Sequence, residues 1–211
     1  MLEFNEFTFQ IASQGEFSMN GSIKKGERVG LSGPSGCGKT TLLNCVAGLA
    51  ATKSGSINLD GMPISQKPPA LRSVNYLFSD PLLFEHLNVL ENIKLPFKIL
   101  KQALPLLKID EALQVFQLED KINSQISELS TGEKKRISLL RSLFIDKKTF
   151  LMDEAFAHLN EELKGRIIDW ILTSKELDNK VCICVSHDPF VFEKFCTQQY
   201  TWPENRRLLI V

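Results

Sequence analysis

The sequence carries no net charge, because 25 Lys and Arg offset 25 Asp and Glu. Nothing in bulk therefore marks it for nucleic acid or an anionic membrane surface. It lacks any run of about 18 apolar residues, the least that a bilayer-crossing helix needs. Its opening residues, MLEFNEFTFQ, have neither the basic flank nor the long apolar core of a signal peptide, so none is expected. Internal repeats and low-complexity tracts are missing too. Cysteine is scarce and odd in number: Cys37, Cys45, Cys182, Cys184 and Cys196 have spacings that match no zinc pattern. Cys182 and Cys184 alternate inside VCICV, as side chains of a buried strand do. All five read as reduced thiols of a cytosolic protein. What remains is ordinary globular composition, 43% hydrophobic and 24% charged over 211 residues. That suits one domain, or one domain with a lobe grafted onto it. The one basic run, Lys134-Lys135-Arg136, fits a solvated helix face.

Against that plain background the pattern of apolar residues sketches an α/β fold. Leu2 to Phe9, Phe17 to Ile23 and Arg28 to Ser32 read as strands, and Thr40 to Ala47 as a helix stopped by Gly48. SGSINLDG and RSVNYLF are strand-like. Two helical stripes follow, Leu106-Leu107-Leu113-Phe116 and Ile137-Leu140-Leu143-Phe144. TFLMDE and KVCICVS are continuous apolar runs, the mark of strands buried on both faces of a parallel sheet. A helical pattern from Glu161 to Leu177 separates them. The end, QQYTWPENRRLLIV, is predicted to be a hairpin turning at Pro203-Glu204-Asn205.

Chemistry concentrates in GPSGCGKTT, Gly33-Pro34-Ser35-Gly36-Cys37-Gly38-Lys39-Thr40-Thr41, which fits G-x-x-x-x-G-K-[ST] between a strand and a helix. Successive backbone N–H groups in such a loop make a concave anion site, and the helix start adds its positive dipole end. Lys39 supplies a charge to the β- and γ-phosphates, and Thr40 offers a hydroxyl to magnesium. A nucleoside triphosphate is the expected ligand. TFLMDE ends in Asp153 and Glu154 at the carboxyl end of a strand, where open parallel sheets bind ligands. Asp153 suits a magnesium-water contact and Glu154 a general base; a plain strand exit into a turn would use the same residues. VCICVSHD places His187 at the end of another buried strand. A contact to the γ-phosphate is favoured over a structural role for it, whereas His86 and His158 lack that placement.

At this point the chain resembles the ATP-binding subunits of ABC transporters, over nearly its whole length and with motifs in the family's order. The diagnostic piece is LSTGEKKRISLLRSLF at Leu129 to Phe144, similar to the family signature LSGGQ and its helix. PPALRSVNYLFSDPLLFEHLNVLENI resembles the importers for thiamine, polyamines, ferric iron and molybdate. The resemblance implies an α/β P-loop NTPase fold, with a parallel-sheet core, an antiparallel β part near the N-terminus and an inserted helical lobe. The expected division is a single ABC ATPase domain over 1–211, with a RecA-like core of 1–80 and 148–211 and a lobe of 81–147. It also implies a head-to-tail homodimer or pseudo-symmetric dimer with ATP at the interface, where Ser130 and Gly132 of one subunit cover the γ-phosphate of the other. Glu154 and His187 become the catalytic pair, and Thr40, Asp153 and Ser79 the magnesium side. A transmembrane permease is the implied partner and nucleic acid is not. The implied place is cytoplasmic, peripheral on the inner face of the membrane. The ending of the chain leads one to expect no regulatory C-terminal domain.

Four positions depart from the family pattern. Ser79 stands where Gln is usual, Ala155 where Pro is usual, Asn160 where Asp is usual, and Thr131 replaces the first signature Gly. The adenine-stacking aromatic is open between Phe9 and Phe17. The leading expectation is an ATPase that powers an importer. A slow or degenerate module that dimerises on ATP is the alternative, given Ser79 and Asn160. A soluble ABC ATPase acting on DNA or ribosomes is disfavoured by the lack of a long coiled coil, a second cassette and a strong basic patch.

Overall fold

The first strand shows how the sequence shapes the molecule. Leu2 and Phe4 are buried, and so are Phe7, Phe9 and Ile11. Strict alternation cannot serve both sets, because the parity changes from even to odd. The strand, β1 (Leu2–Ile11), resolves this with a register shift between Phe4 and Phe7, where Glu6 takes φ 45°. The extra residue returns the phenylalanines to one face. The structure is a computed structural model and describes residues 1–11, 15–203 and 205–210.

After β1 the chain forms β2 (Gly15–Ile23), β3 (Arg28–Ser32), α1 (Lys39–Ala47), β4 (Ser54–Leu59), β5 (Met62–Pro63) and β6 (Val74–Leu77). Then come α2 (Val89–Leu100), α3 (Leu106–Val115), α4 (Thr131–Leu143), β7 (Thr149–Asp153), α5 (Glu161–Thr173), β8 (Val181–Val185), α6 (Pro189–Phe195), β9 (Gln198–Thr201) and β10 (Arg207–Ile210). The fold class is α/β, with two five-stranded sheets ordered β10-β2-β1-β4-β5 and β6-β7-β8-β3-β9. In the first sheet β1, β2, β4 and β5 pair antiparallel, while β10 joins β2 in parallel. In the second, β7, β8, β3 and β9 pair in parallel. Every residue of β7 and β8 is buried, which explains their unbroken apolar runs.

The chain divides into two compact units. One comprises Met1–Tyr76, Lys147–Asp153 and Asp178–Val211; the other comprises Leu77–Asp146 and Glu154–Leu177. The first has one apolar core, built from the phenylalanines of β1, Leu42, Leu43 and Val46 of α1, Leu151, and Ile183. The second is helical. Trp170 of α5 meets Phe116 and Phe144 edge-on and donates its indole N–H to Glu111 at 2.8 Å.

The expected C-terminal hairpin is not formed. β9 pairs with β3 and β10 with β2, so the two strands belong to different sheets. Leu208 and Ile210 turn into the core that Met19 and Phe17 line, and that burial decides the pairing. Of the expected turn, Glu204 lies outside the described residues. Two helices escape simple periodicity. α2 carries an internal Pro96 but starts with a capping box in which Asn88 and Glu91 bond each other's backbone N–H. α6 starts at Asp188-Pro189, with Asp188 Oδ1 accepting from Phe190 N at 3.0 Å.

Candidate nucleotide site

Register brings the sequence motifs to one edge of the parallel sheet. Asp153 is opposite Val185, Val185 opposite Leu31, and Leu31 opposite Tyr200. Two residues beyond this line lie His187 after β8, Gly33 after β3 and Trp202 after β9. All of them leave the sheet at its carboxyl edge, the expected ligand side of a parallel sheet.

The loop itself is held by packing as much as by turn chemistry. Gly33 and Gly38 take φ 145° and 114°, a region that side chains rarely tolerate. A Cβ at Gly33 would stand 2.6 Å from Trp202 Cβ. One at Gly38 would stand 2.2 Å from Ile11 Cδ1 and 3.2 Å from Trp202 Cζ2. Gly36, at the tip, has nothing within 4 Å of such an atom. Lys39 is buried, and its Nζ donates to the carbonyls of Gly33 at 2.6 Å and Pro34 at 2.8 Å. Cys37 Sγ lies 3.6 Å from the same ammonium. The lysine therefore stands at the centre of the loop. Ser35 and Gly36 are exposed and Thr41 is half-buried.

Thr40 Oγ1 donates to Asp153 Oδ2 at 2.8 Å, which joins the first turn of α1 to the end of β7. Burial, and then the Asp153 carboxylate beside it, push the Tyr76 hydroxyl above its ordinary range, so it stays a neutral phenol. These oxygen donors fit magnesium, which keeps waters and takes one or two carboxylates together with substrate phosphates. No cluster of three His, Cys, Asp or Glu that could hold a metal occurs among the described residues. The protein would thus share such an ion with a phosphate ligand rather than cage it.

Glu154 follows with φ 52°, a left-handed conformation for a non-glycine residue. Such positions cost free energy and concentrate where function requires them. His187 is exposed, and the turn that presents it is fixed on both sides. Asp188 N donates to Ser186 Oγ at 3.1 Å, and Asp188 caps α6.

Far from the loop, Arg72 closes the other end of α1. It is buried, and donates to the carbonyls of Cys45 (2.7 Å), Val46 (3.1 Å), Ser65 (2.5 Å) and Lys67 (2.7 Å). A cation on the last carbonyls complements the helix dipole whose other end faces the loop. Arg72 went unnoticed in the sequence because its partners are main-chain atoms that no motif spells.

The helical unit carries the signature. Ser130 caps α4 in a capping box with Glu133, and Ser130 Oγ is 2.7 Å from Glu133 Oε2. Gly132 has the carbonyl of His158 3.4 Å from where a Cβ would be. Ser79 is exposed, and its carbonyl accepts from the buried ammonium of Lys135. Further along α4, Ser138 and Arg141 bond the carbonyls of Pro81 and Leu82, at 2.9 to 3.0 Å. One face of the helix thus grips the main chain of the Ser79 segment. Asn160 caps α5, its Oδ1 accepting from Leu163 N at 2.8 Å. Asn serves that cap as well as Asp would.

Phe9 and Phe17 do not offer a platform for a base. Both are wholly buried, and they pack on each other and on Trp202.

The ABC transporter family model matches residues 17–157, and the chain belongs to that family. It is 38% identical over 159 residues to the spermidine/putrescine import ATP-binding protein PotA of Thermotoga maritima, covering 74% of this chain and 42% of that protein. It is 37% identical over 175 residues to the probable sulfate/thiosulfate import ATP-binding protein CysA of Chlorella vulgaris, covering 81% and 73%. The fold is that of the dimeric structure of MJ0796, a bacterial ABC transporter cassette, with a TM-score of 0.82 at 24% identity over 99% of this chain and 96% of that one. The chain spans about half the length of most of the curated relatives it matches. No helix among the described residues is long and apolar enough to cross a membrane.

Proposed function

We propose that this chain is the ATP-binding and hydrolysing subunit of a membrane importer. The observation that carries the reading is the loop from Gly33 to Thr40, with Lys39 at its centre and Thr40 bonded to Asp153. Donors gathered around a helix N-terminus suit a triphosphate better than any uncharged ligand. The names of the relatives, ATP-binding proteins for import of polyamines and sulfate, support the transport role.

In this reading the backbone N–H groups of Pro34-to-Thr41 positions other than proline face the α- and β-phosphates, and Lys39 turns from main-chain carbonyls to the β- and γ-oxygens. Magnesium, when bound, neutralises phosphate charge beside Thr40 and Asp153. Glu154 orients a water and takes its proton as the oxygen attacks the γ-phosphorus; the bond to the bridging oxygen breaks and ADP leaves. His187 donates to the γ-phosphate. Ser79 would stand with Thr40 and Asp153 on the magnesium side. The signature residues Ser130 and Gly132 of a second subunit complete the site across a dimer. The core and the lobe of 81–147 are the working parts, and a permease at the inner face of the membrane is the partner. Asn160 keeps the acceptor that an Asp would bring, without the charge, and uses it on the cap of α5.

Two variants test this. Lys39→Ala should weaken ATP binding by about 2–3 kcal/mol, the scale of a charge-assisted contact; unchanged affinity by calorimetry would remove the assignment. Glu154→Gln should lower hydrolysis by about 100-fold or more while binding persists. It should also trap a dimer in size-exclusion chromatography with ATP and magnesium. Monomer alone under those conditions would count against the shared site.

A further inference from the structure

The residue that best explains the shape of the phosphate loop belongs to none of the motifs. Trp202 follows β9, and its N–H donates to Ser32 O at 2.8 Å, beside the point where β3 becomes the loop. From there the side chain runs beneath the loop, Cβ against Gly33 and Cζ2 against Gly38, the first and last glycines of the motif. Only 7% of the residue is exposed. Behind it Phe17 stacks on the indole, with centroids 4.2 Å apart and an interplanar angle of 26°. Phe9 meets it edge-on at 6.5 Å, and Phe7 and Phe4 continue the column. Ile11 closes the side at Gly38.

We infer that Trp202 is a positioning residue for nucleotide binding: it is the rigid floor that holds the loop's N–H groups in place for phosphate. The inference rests on the nucleotide-binding reading above. An indole has two side-chain torsions and a large flat face, so it fixes position with little entropy to lose. The aromatic column behind it belongs to the core and cannot retreat without opening a void. The two end glycines are then required twice over, by their backbone angles and by the floor. A loop without this support would lose alignment, and small displacements of aligned donors cost much of their effect.

The experiment uses the whole chain with Trp170→Phe, which leaves Trp202 as the only tryptophan of the two. ATP with magnesium should change the indole emission, saturating at the dissociation constant found by calorimetry. Trp202→Leu should weaken both ATP and inorganic tripolyphosphate by about tenfold, and Trp202→Phe should hold both within about threefold of the parent. Equal losses for the two ligands mark an effect through the loop. A loss for ATP with tripolyphosphate unchanged would make Trp202 a base contact and overturn the proposal. So would emission that stays constant through saturation, or a folded Trp202→Leu protein with parental affinities. If Trp202→Leu does not fold, the emission titration still decides. A parent protein that binds no ATP would instead defeat the functional reading itself.

Discussion

The two regions that carry the family's motifs each have a lysine on main-chain oxygens, Lys39 and Lys135, and differ in what else holds them. The phosphate loop rests on apolar side chains: Trp202 and Ile11 fill the space that a Cβ would need at Gly33 and Gly38. The Ser79 segment in the helical unit is held by polar side chains on main-chain oxygens, from Lys135, Ser138 and Arg141 of α4. Packing fixes position and tolerates no added atom. Donor-to-carbonyl bonds fix direction, and exchange with water whenever the segment loosens. The loop is therefore built to keep one shape. The Ser79 segment is held through its carbonyls.

The sharpest break in that contrast comes from adding one carbon. Gly38→Ala puts a Cβ 2.2 Å from Ile11 Cδ1. The left-handed backbone adds about 1–2 kcal/mol and the overlap about 1–3 kcal/mol. Chemical denaturation should show the sum, and nucleotide affinity should fall by about 100-fold. Gly36→Ala is the control: its surroundings are open, so the backbone term alone should appear, and denaturation should record about 1–2 kcal/mol. Equal costs at the two positions would mean that packing is not what separates them.

Next in size is Arg72→Met. The loss of four donor contacts takes a partner from the carbonyls of Cys45 and Val46 in α1's last turn and from those of Ser65 and Lys67, at about 3 kcal/mol in all. Urea unfolding checks the stability, and ATP affinity should fall less than in Gly38→Ala, because the far end of the helix is disturbed and the loop is not.

Much of this site was legible in the sequence, for a physical reason. β3, α1, β7 and β8 declare themselves because their functional residues are tied to local patterns: an apolar strand, a glycine loop, a strand ending in Asp153. Their ends were read to within a residue. What escaped depends on distant partners. The last two strands looked like a hairpin because both are short and apolar beside Pro203, yet each pairs with a strand about 170 to 190 residues earlier, a choice that no local pattern encodes. Trp202 was passed over for the same cause, as was Arg72. Phe9 and Phe17, the open candidates for a base platform, are both buried, because alternation gives a buried face but not what covers it. α2 was missed although Asn88 and Glu91 spell a capping box, because Pro96 interrupts the pattern.

Lys135→Met tests the polar half of the contrast. The buried ammonium donates to Ser79 O and, at 3.4 Å, to Phe78 O. Its removal should cost about 1–3 kcal/mol. More tellingly, amide exchange should quicken across residues 77–82 while the phosphate loop keeps its protection. Lys135→Arg, which can still donate, should restore most of it. Faster exchange in both regions would show that the two are not held separately.

The smallest effect is a pH dependence in the signature. The Ser130 hydroxyl, then the Ser130 N–H, hold the Glu133 carboxyl below its ordinary value against the opposing pull of burial. A carboxylate whose folded value is depressed stabilises the fold above its unfolded value, near the usual glutamate range, and loses that contribution as pH falls through the folded one. The unfolded state binds the proton first, so stability rises with pH across this interval. Solvent screens the pair, so the change should be about half a kcal/mol. Comparing urea midpoints at pH 6 and in the acid limb for the parent and for Glu133→Gln isolates it. Gln keeps a side-chain acceptor for the Ser130 N–H but cannot titrate, so its curve should be flatter below the glutamate range. Parallel curves for the two proteins would mean that the capping box does not distinguish a carboxylate from an amide. The helix that carries the signature would then be anchored by its carbonyl grip on the Ser79 segment rather than by its own first turn.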